Sequence, residues 1–141
     1  GTLADTEHRM HYIRPTEGKK KSWYKFFEAS AIDRPFSHVT LLAKMLYDAG
    51  YEIIMLTARP ESERPRTETW LAANDLKYKN LIMRPNGEHK ADDLVKEDAY
   101  LHHFAHRKEE LLMVFEDRLH VAKMWRKHGV PVMLCGCEWD V

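Results

Sequence analysis

Five polar residues gather around the ends of apolar runs. Thr57 and Arg59 follow "IIML", Glu116 and Asp117 follow "LLMVF", and Lys96 lies near the start of the helical stretch "KADDLVKEDAYLHHFAH". A hydroxyl, a guanidinium, an ammonium and two adjacent carboxylates suit a phosphate and a divalent cation. Lysine offers phosphate oxygens a point charge. Adjacent carboxylates suit Mg²⁺, which binds hard oxygen ligands and keeps several waters. Each residue also has an ordinary reading. Thr57 and the Glu116–Asp117 pair are candidate helix caps, and Lys96, among Asp92, Asp93 and Glu97, fits a solvated helix face. Their common placement argues for the chemical reading, because in open parallel sheets ligands bind beyond the carboxyl ends of the strands.

The elements that position these residues follow from periodicity. In "RPFSHVTLLAKMLYDAG", Val39, Leu42, Met45, Leu46 and Ala49 recur at helical steps, with Ser37 as the expected N-cap and Gly50 as the stop. "YEIIMLT" reads as a strand ending at Thr57. "RPRTETWLAAND" is a helix with Pro65 in its first turn, where the missing N–H is harmless. "NLIMR", "ELLMVFED" and "VPVMLC" read as strands, and "RLHVAKMWRKHG" as a helix closed by Gly129. Helices alternating with short, fully apolar strands predict an α/β fold, a parallel sheet with helices on both faces. No internal repeat and no second domain are visible.

The chain of 141 residues is long enough to bury a core. With 44% apolar and 31% charged residues, its composition is not that of a disordered chain. A formal net charge of zero gives no overall attraction to nucleic acid or membrane. No apolar run approaches the length of a spanning helix, so no membrane partner is expected. Cys135 and Cys137 form a C-x-C whose side chains would point to opposite faces of a strand, a poor geometry for a disulfide. Two reduced thiols fit a cytoplasmic protein.

The order of these motifs resembles that of the haloacid dehalogenase (HAD) phosphatase superfamily. "GTLAD" resembles the tail of its D-x-D-G-T motif, "LTARP" its second motif, "DDLVKED" its lysine motif and "VFEDR" its acidic pair. "KADDLVKED" and "VFEDRLHVAKMWRKHGVPV" are further similar to the 3′-phosphatase domain of bacteriophage polynucleotide kinase–phosphatases. The resemblance implies a Rossmann-like fold over residues 1–141, with a flap or minimal cap at about residues 5–36. It also implies Mg²⁺-dependent hydrolysis of a phosphomonoester through an aspartyl-phosphate. Thr57, Lys96 and Asp117 would be catalytic. Thr2, Thr57, Arg59 and Lys96 would bind substrate, and Asp117 and Glu116 would hold the metal. The implied substrate is a 3′-phosphate on a nucleic-acid end; a nucleotidase or small-molecule phosphatase is the enzymatic alternative. A kinase or ligase domain fused upstream is an implied partner.

One departure matters. The two aspartates of D-x-D-G-T would stand before Gly1, and the strand carrying them would be the central one of the sheet. The expectation is therefore an N-terminally incomplete domain that is inactive as it stands. Without the nucleophile, an inactive phosphate-binding or scaffold module is the reading from another class. Three further features have less specific meanings. His102, His103 and His106 cluster where a helix C-terminus favours cations, more simply than as a metal site. Lys19–Lys21 with Lys123, Arg126 and Lys127 either track a nucleic-acid backbone or are solvated. The rings of Trp23, Tyr24, Phe26 and Phe27 either pack a core or lid, or stack on a base.

Overall fold

The computed structural model describes residues 1–136. Cys137, half of the C-x-C, lies outside the described residues. The chain is mixed α/β, with five α-helices and six short strands among the described residues. It divides into two compact units.

The first unit comprises Gly1, residues 3–53 and residues 62–77. Strand β1 (Ala4–Asp5) pairs antiparallel with β2 (Arg34–Pro35). Between them come a 3-10 turn at Glu7–Tyr12 and helix α1 (Trp23–Glu28); α2 (Ser37–Asp48) and α3 (Arg64–Ala73) follow. The 5–36 segment thus belongs to a unit that also holds two longer helices. Its centre is ionic. Arg9, 1% exposed, donates from Nε and Nη2 to the two oxygens of Asp33 at 2.9 and 2.8 Å. Its Nη1 reaches the Phe26 carbonyl at 3.1 Å, and its guanidinium lies 4.1 Å from the Phe26 ring centre. Trp70 Nε1 donates to the Asp33 carbonyl at 2.9 Å. The Trp23, Phe26 and Phe27 rings lie 5.3 to 5.9 Å apart, so the aromatic run packs on itself and on Arg9. Trp23 and Tyr24 keep exposed faces.

Two local expectations for α2 change. Ser37 is the first helical residue, and Phe36 occupies the cap position without a side-chain cap. The chain enters the helix extended at Phe36, whose carbonyl accepts from Thr40 N–H, so the turn begins one residue earlier than a Ser37 cap would require. The buried side chains of α2 are Val39 and Thr40, whereas Leu42 and Met45 remain exposed. Gly50 does end the helix, at φ +95°, a conformation that costs glycine little.

The second unit comprises Thr2, residues 54–61 and, of the described residues, 78–136. Strand β3 (Ile54–Pro60) pairs parallel with β4 (Asn80–Arg84), and β5 (Val114–Glu116) pairs parallel with β6 (Val132–Leu134). Among the described residues these remain two separate pairs rather than one sheet. Helices α4 (Asp92–His103) and α5 (Leu119–Lys127) complete the unit. Tyr100, Phe104, Val121, Met124, Trp125 and Val130 form its core, with Ile54, Leu56, Ile82, Val114 and Val132 packed against it. Burying one such side chain contributes roughly 1.5–3 kcal/mol. Helix α5 shows why the stretch folds as it does: Val121, Ala122, Met124 and Trp125 are buried, and Lys123 and Arg126 face solvent. No helix among the described residues is long and apolar enough to cross a membrane.

Strand β3 departs from expectation at both ends. It begins at Ile54 and continues past Thr57 to Pro60. The register pairs Leu56 with Ile82 and Pro60 with Arg84, so Thr57, Ala58 and Arg59 stand against Met83 alone. The polar residues therefore interrupt the ladder as a bulge rather than end it. Extra residues in one strand re-aim side chains and are frequent beside functional sites.

Two stability predictions follow. Arg9→Met leaves the Asp33 carboxylate buried without its main partner and should cost about 3 kcal/mol in chemical denaturation. Glu97, after Lys96 on α4, accepts from Lys127 at 2.8 Å and contacts His128 Nε2 at 2.6 Å. Those two hydrogen bonds hold its carboxyl below the usual glutamate range. A depressed carboxylate contributes stability above its ordinary pKa and loses it as pH falls. The stability advantage over Glu97→Gln should therefore be present at neutral pH and vanish on acidification below about pH 4.

Candidate functional site

The acidic pair at the end of β5 divides into two different environments. Glu116 is 2% exposed. Its Oε2 accepts from Lys96 Nζ at 2.7 Å, and its Oε1 accepts from the backbone N–H groups of Asp117 and Arg118 at 3.1 and 3.2 Å. Three donors satisfy this carboxylate. The β5–β6 ladder holds it from behind, with Cys135 N–H donating to the Glu116 carbonyl at 2.8 Å. Lys96, one turn into α4, is 13% exposed at its side chain. A charge buried to this extent is tolerable only when paired.

Asp117 is less enclosed, and its Oδ1 accepts from the Thr2 hydroxyl at 2.9 Å. Burial alone would raise its pKa. The Thr2 hydroxyl and the Lys96 ammonium act the other way and favour the ionised carboxylate. The same acids act oppositely on Cys135: burial first, then the charges of Asp117 and Glu116, push its thiol up, which keeps it protonated and unreactive. Cys135 is a free thiol.

Thr57 lies in the β3 bulge. Its Oγ1 accepts from Arg59 N–H at 3.2 Å, which leaves the hydroxyl proton for another acceptor. The structure thus joins Lys96 to Glu116 and Thr2 to Asp117, and it sets Thr57 and Arg59 in one local turn. All six residues belong to the second unit.

For a divalent cation, Asp117 offers an ionised hard-oxygen carboxylate of the right kind. Glu116 has its oxygens committed to donors, so its fit is to an outer-sphere role. Among the described residues no group of three His, Cys, Asp or Glu side chains could hold a metal. That includes the histidines near the end of α4. There the His102 and His103 rings meet edge-on at 4.6 Å, and burial lowers the pKa of His103. Mg²⁺ binding through one or two carboxylates plus substrate oxygens and water is compatible with this donor set. Of the basic residues, Lys127 is engaged by Glu97.

Sequence reasoning missed Arg84 and its pairing with Asp92. Arg84 Nη2 donates to Asp92 Oδ1 at 2.7 Å, and Arg118 Nη1 lies 3.8 Å from Asp92 Oδ2. The signal was available: "NLIMR" is an apolar run closed by a charged residue, as "IIMLT" is by a polar one.

A parallel α/β unit with a lysine pinned beside an acidic pair at a strand end is the arrangement that the resemblance to the HAD superfamily implied. More particularly, the chain belongs to the family of the polynucleotide kinase PNKP phosphatase domain, whose profile matches residues 1–136. Two solved structures are similar to it. A chain of a Pnkp1/Rnl/Hen1 complex superposes with a TM-score of 0.76 at 25% identity, over 95% of this chain and 42% of that one. A chain of the Pnkp1/Rnl/Hen1 RNA repair complex gives 0.72 at 27% identity, over 77% of this chain and 35% of that one. The chain spans less than half the length of either.

Breaking the buried pair from either end should be costly. Lys96→Met leaves Glu116 charged and buried, and should cost about 3 kcal/mol in urea denaturation. Glu116→Gln keeps an acceptor for the backbone N–H groups of Asp117 and Arg118 but turns an amide donor toward the Lys96 ammonium, and should likewise cost about 3 kcal/mol.

Proposed function

We propose that the intact protein is a Mg²⁺-dependent phosphomonoesterase that removes 3′-phosphates from nucleic-acid ends through an aspartyl-phosphate. The observation that carries this reading is the buried Lys96–Glu116 pair, 2.7 Å long, with Asp117 as the next residue. It holds an ammonium at the strand end without using the adjacent carboxylate. Family membership and the RNA repair complex among the similar structures support the nucleic-acid substrate.

In this reading Lys96 neutralises the transferring phosphoryl group, and the Thr57 hydroxyl donates to one of its oxygens. Arg59 contacts the substrate beyond the phosphate, and Thr2 orients Asp117. Donors fixed before the reaction stabilise developing charge without reorganising, which is commonly worth about 3 kcal/mol each. Asp117 would hold Mg²⁺ directly and Glu116 through water; the ion, when bound, offsets phosphoryl charge. The attacking aspartate forms the bond to phosphorus as the ester P–O bond breaks. The second aspartate protonates the leaving oxygen and then takes a proton from the water that cleaves the acyl-phosphate. Both would stand just before Gly1. The separation of β3–β4 from β5–β6 supports a strand between the two pairs, since strands about 4.8 Å apart need the intervening one to bond. On this view residues 1–141 by themselves do not hydrolyse phosphate esters. A cytoplasmic location and a fused kinase or ligase domain belong to the same proposal; the greater length of the similar chains supports the latter.

The test is turnover by the full-length protein of a 3′-phosphorylated oligonucleotide, a 5′-phosphorylated one and free 3′-nucleotides, with and without chelator. A clear preference for the first, abolished by EDTA, is expected. Asp117→Asn or Lys96→Ala should each lower kcat by about a hundredfold or more. Equal turnover of oligonucleotide and mononucleotide would replace end healing with a nucleotidase. No turnover of any ester would leave a phosphate-binding module.

A further inference from the structure

The β3 bulge leaves the Ala58 carbonyl, between Thr57 and Arg59, outside the regular β3–β4 ladder. A side chain supplies its partner: Arg84 Nε donates to it at 2.8 Å. The same guanidinium donates from Nη1 to the Lys90 and Glu88 carbonyls at 2.7 and 3.2 Å, and from Nη2 to Asp92 Oδ1 at 2.7 Å. Three backbone carbonyls and a carboxylate thus converge on one side chain that is 13% exposed.

The three tied segments are the bulge, the 85–91 connection and the first residue of α4. Lys96 lies one turn beyond Asp92 on that helix. Asp92 also faces Arg118, whose backbone N–H donates to Glu116. We propose that Arg84 is a positioning residue: by bonding the bulge and the start of α4 at once, it sets Thr57 and Arg59 relative to Lys96. The inference rests on the phosphatase reading for its consequence, but the tie itself is independent of it. Lysine could not replace it, because a single ammonium cannot span acceptors that a planar fork of donors reaches simultaneously.

The experiment combines hydrogen exchange with kinetics on the full-length protein, for Arg84→Ala and the milder Arg84→Lys. Amides of residues 57–59 and 88–93 should exchange about tenfold faster, with α5 protection unchanged. On the 3′-phosphorylated oligonucleotide, kcat should fall by about a hundredfold with little change in KM, as expected when reacting groups are misplaced rather than removed. Methylguanidinium should restore part of the Arg84→Ala loss. Unchanged exchange in both segments, or loosening that spreads equally to α5, would overturn the proposal. If Arg84→Ala does not fold, Arg84→Lys decides by the same exchange pattern. Exchange requires no substrate. A full-length protein inactive on every ester would therefore sink the phosphatase reading, while the exchange result still decides whether Arg84 holds the two segments.

Discussion

A buried carboxylate that must be satisfied governs the second unit. Glu116 is withdrawn from water at the end of β5, where an isolated charge would cost several kcal/mol. Three donors answer it: the Lys96 ammonium and two backbone N–H groups at the start of α5. One side chain thereby joins the end of a strand, the beginning of the next helix and a lysine twenty residues earlier. The acid after it, Asp117, accepts instead from the Thr2 hydroxyl. Two neighbouring residues of nearly the same chemistry thus occupy different environments, because one is saturated by the fold and the other is not.

The first unit uses the same physics for a different end. The Arg9–Asp33 pair is bonded further to the Phe26 carbonyl and to His8, and Trp70 holds the Asp33 backbone carbonyl. That constellation organises short turns that bury few apolar side chains. Ionic centres matter most where secondary structure is brief, since two-residue strands and single-turn helices cannot enclose a large core.

Much of the fold was legible in the amino-acid order. "NLIMR" is strand β4 residue for residue, and the helix with Lys96 begins within two residues of the expected stretch. The stretch "RPRTETWLAAND" carries its proline in the first turn. Legibility failed where tertiary bonding overrides local pattern. Leu42 and Met45 have helical spacing, yet periodicity cannot say which part of an apolar stripe finds a neighbour. Ser37 has the chemistry of a cap, but the backbone enters the helix one residue earlier. The change of composition at Thr57 predicts a strand end, and the strand continues because a side chain, rather than a strand, bonds the irregular part.

The sequence by itself determined the alternation of helices and apolar strands, and with it the strand that carries Thr57, the helix that carries Lys96 and the strand end at Glu116 and Asp117. That much follows from periods of two and of three to four residues, which are local properties. Only the tertiary structure decided which carboxylate is saturated, which hydroxyl meets Asp117, and that Arg84 closes the gap in the β3 ladder. Those are pairings between residues 26 to 115 positions apart, or choices between adjacent ones, made by burial and hydrogen-bond reach. Linear order carries no record of either.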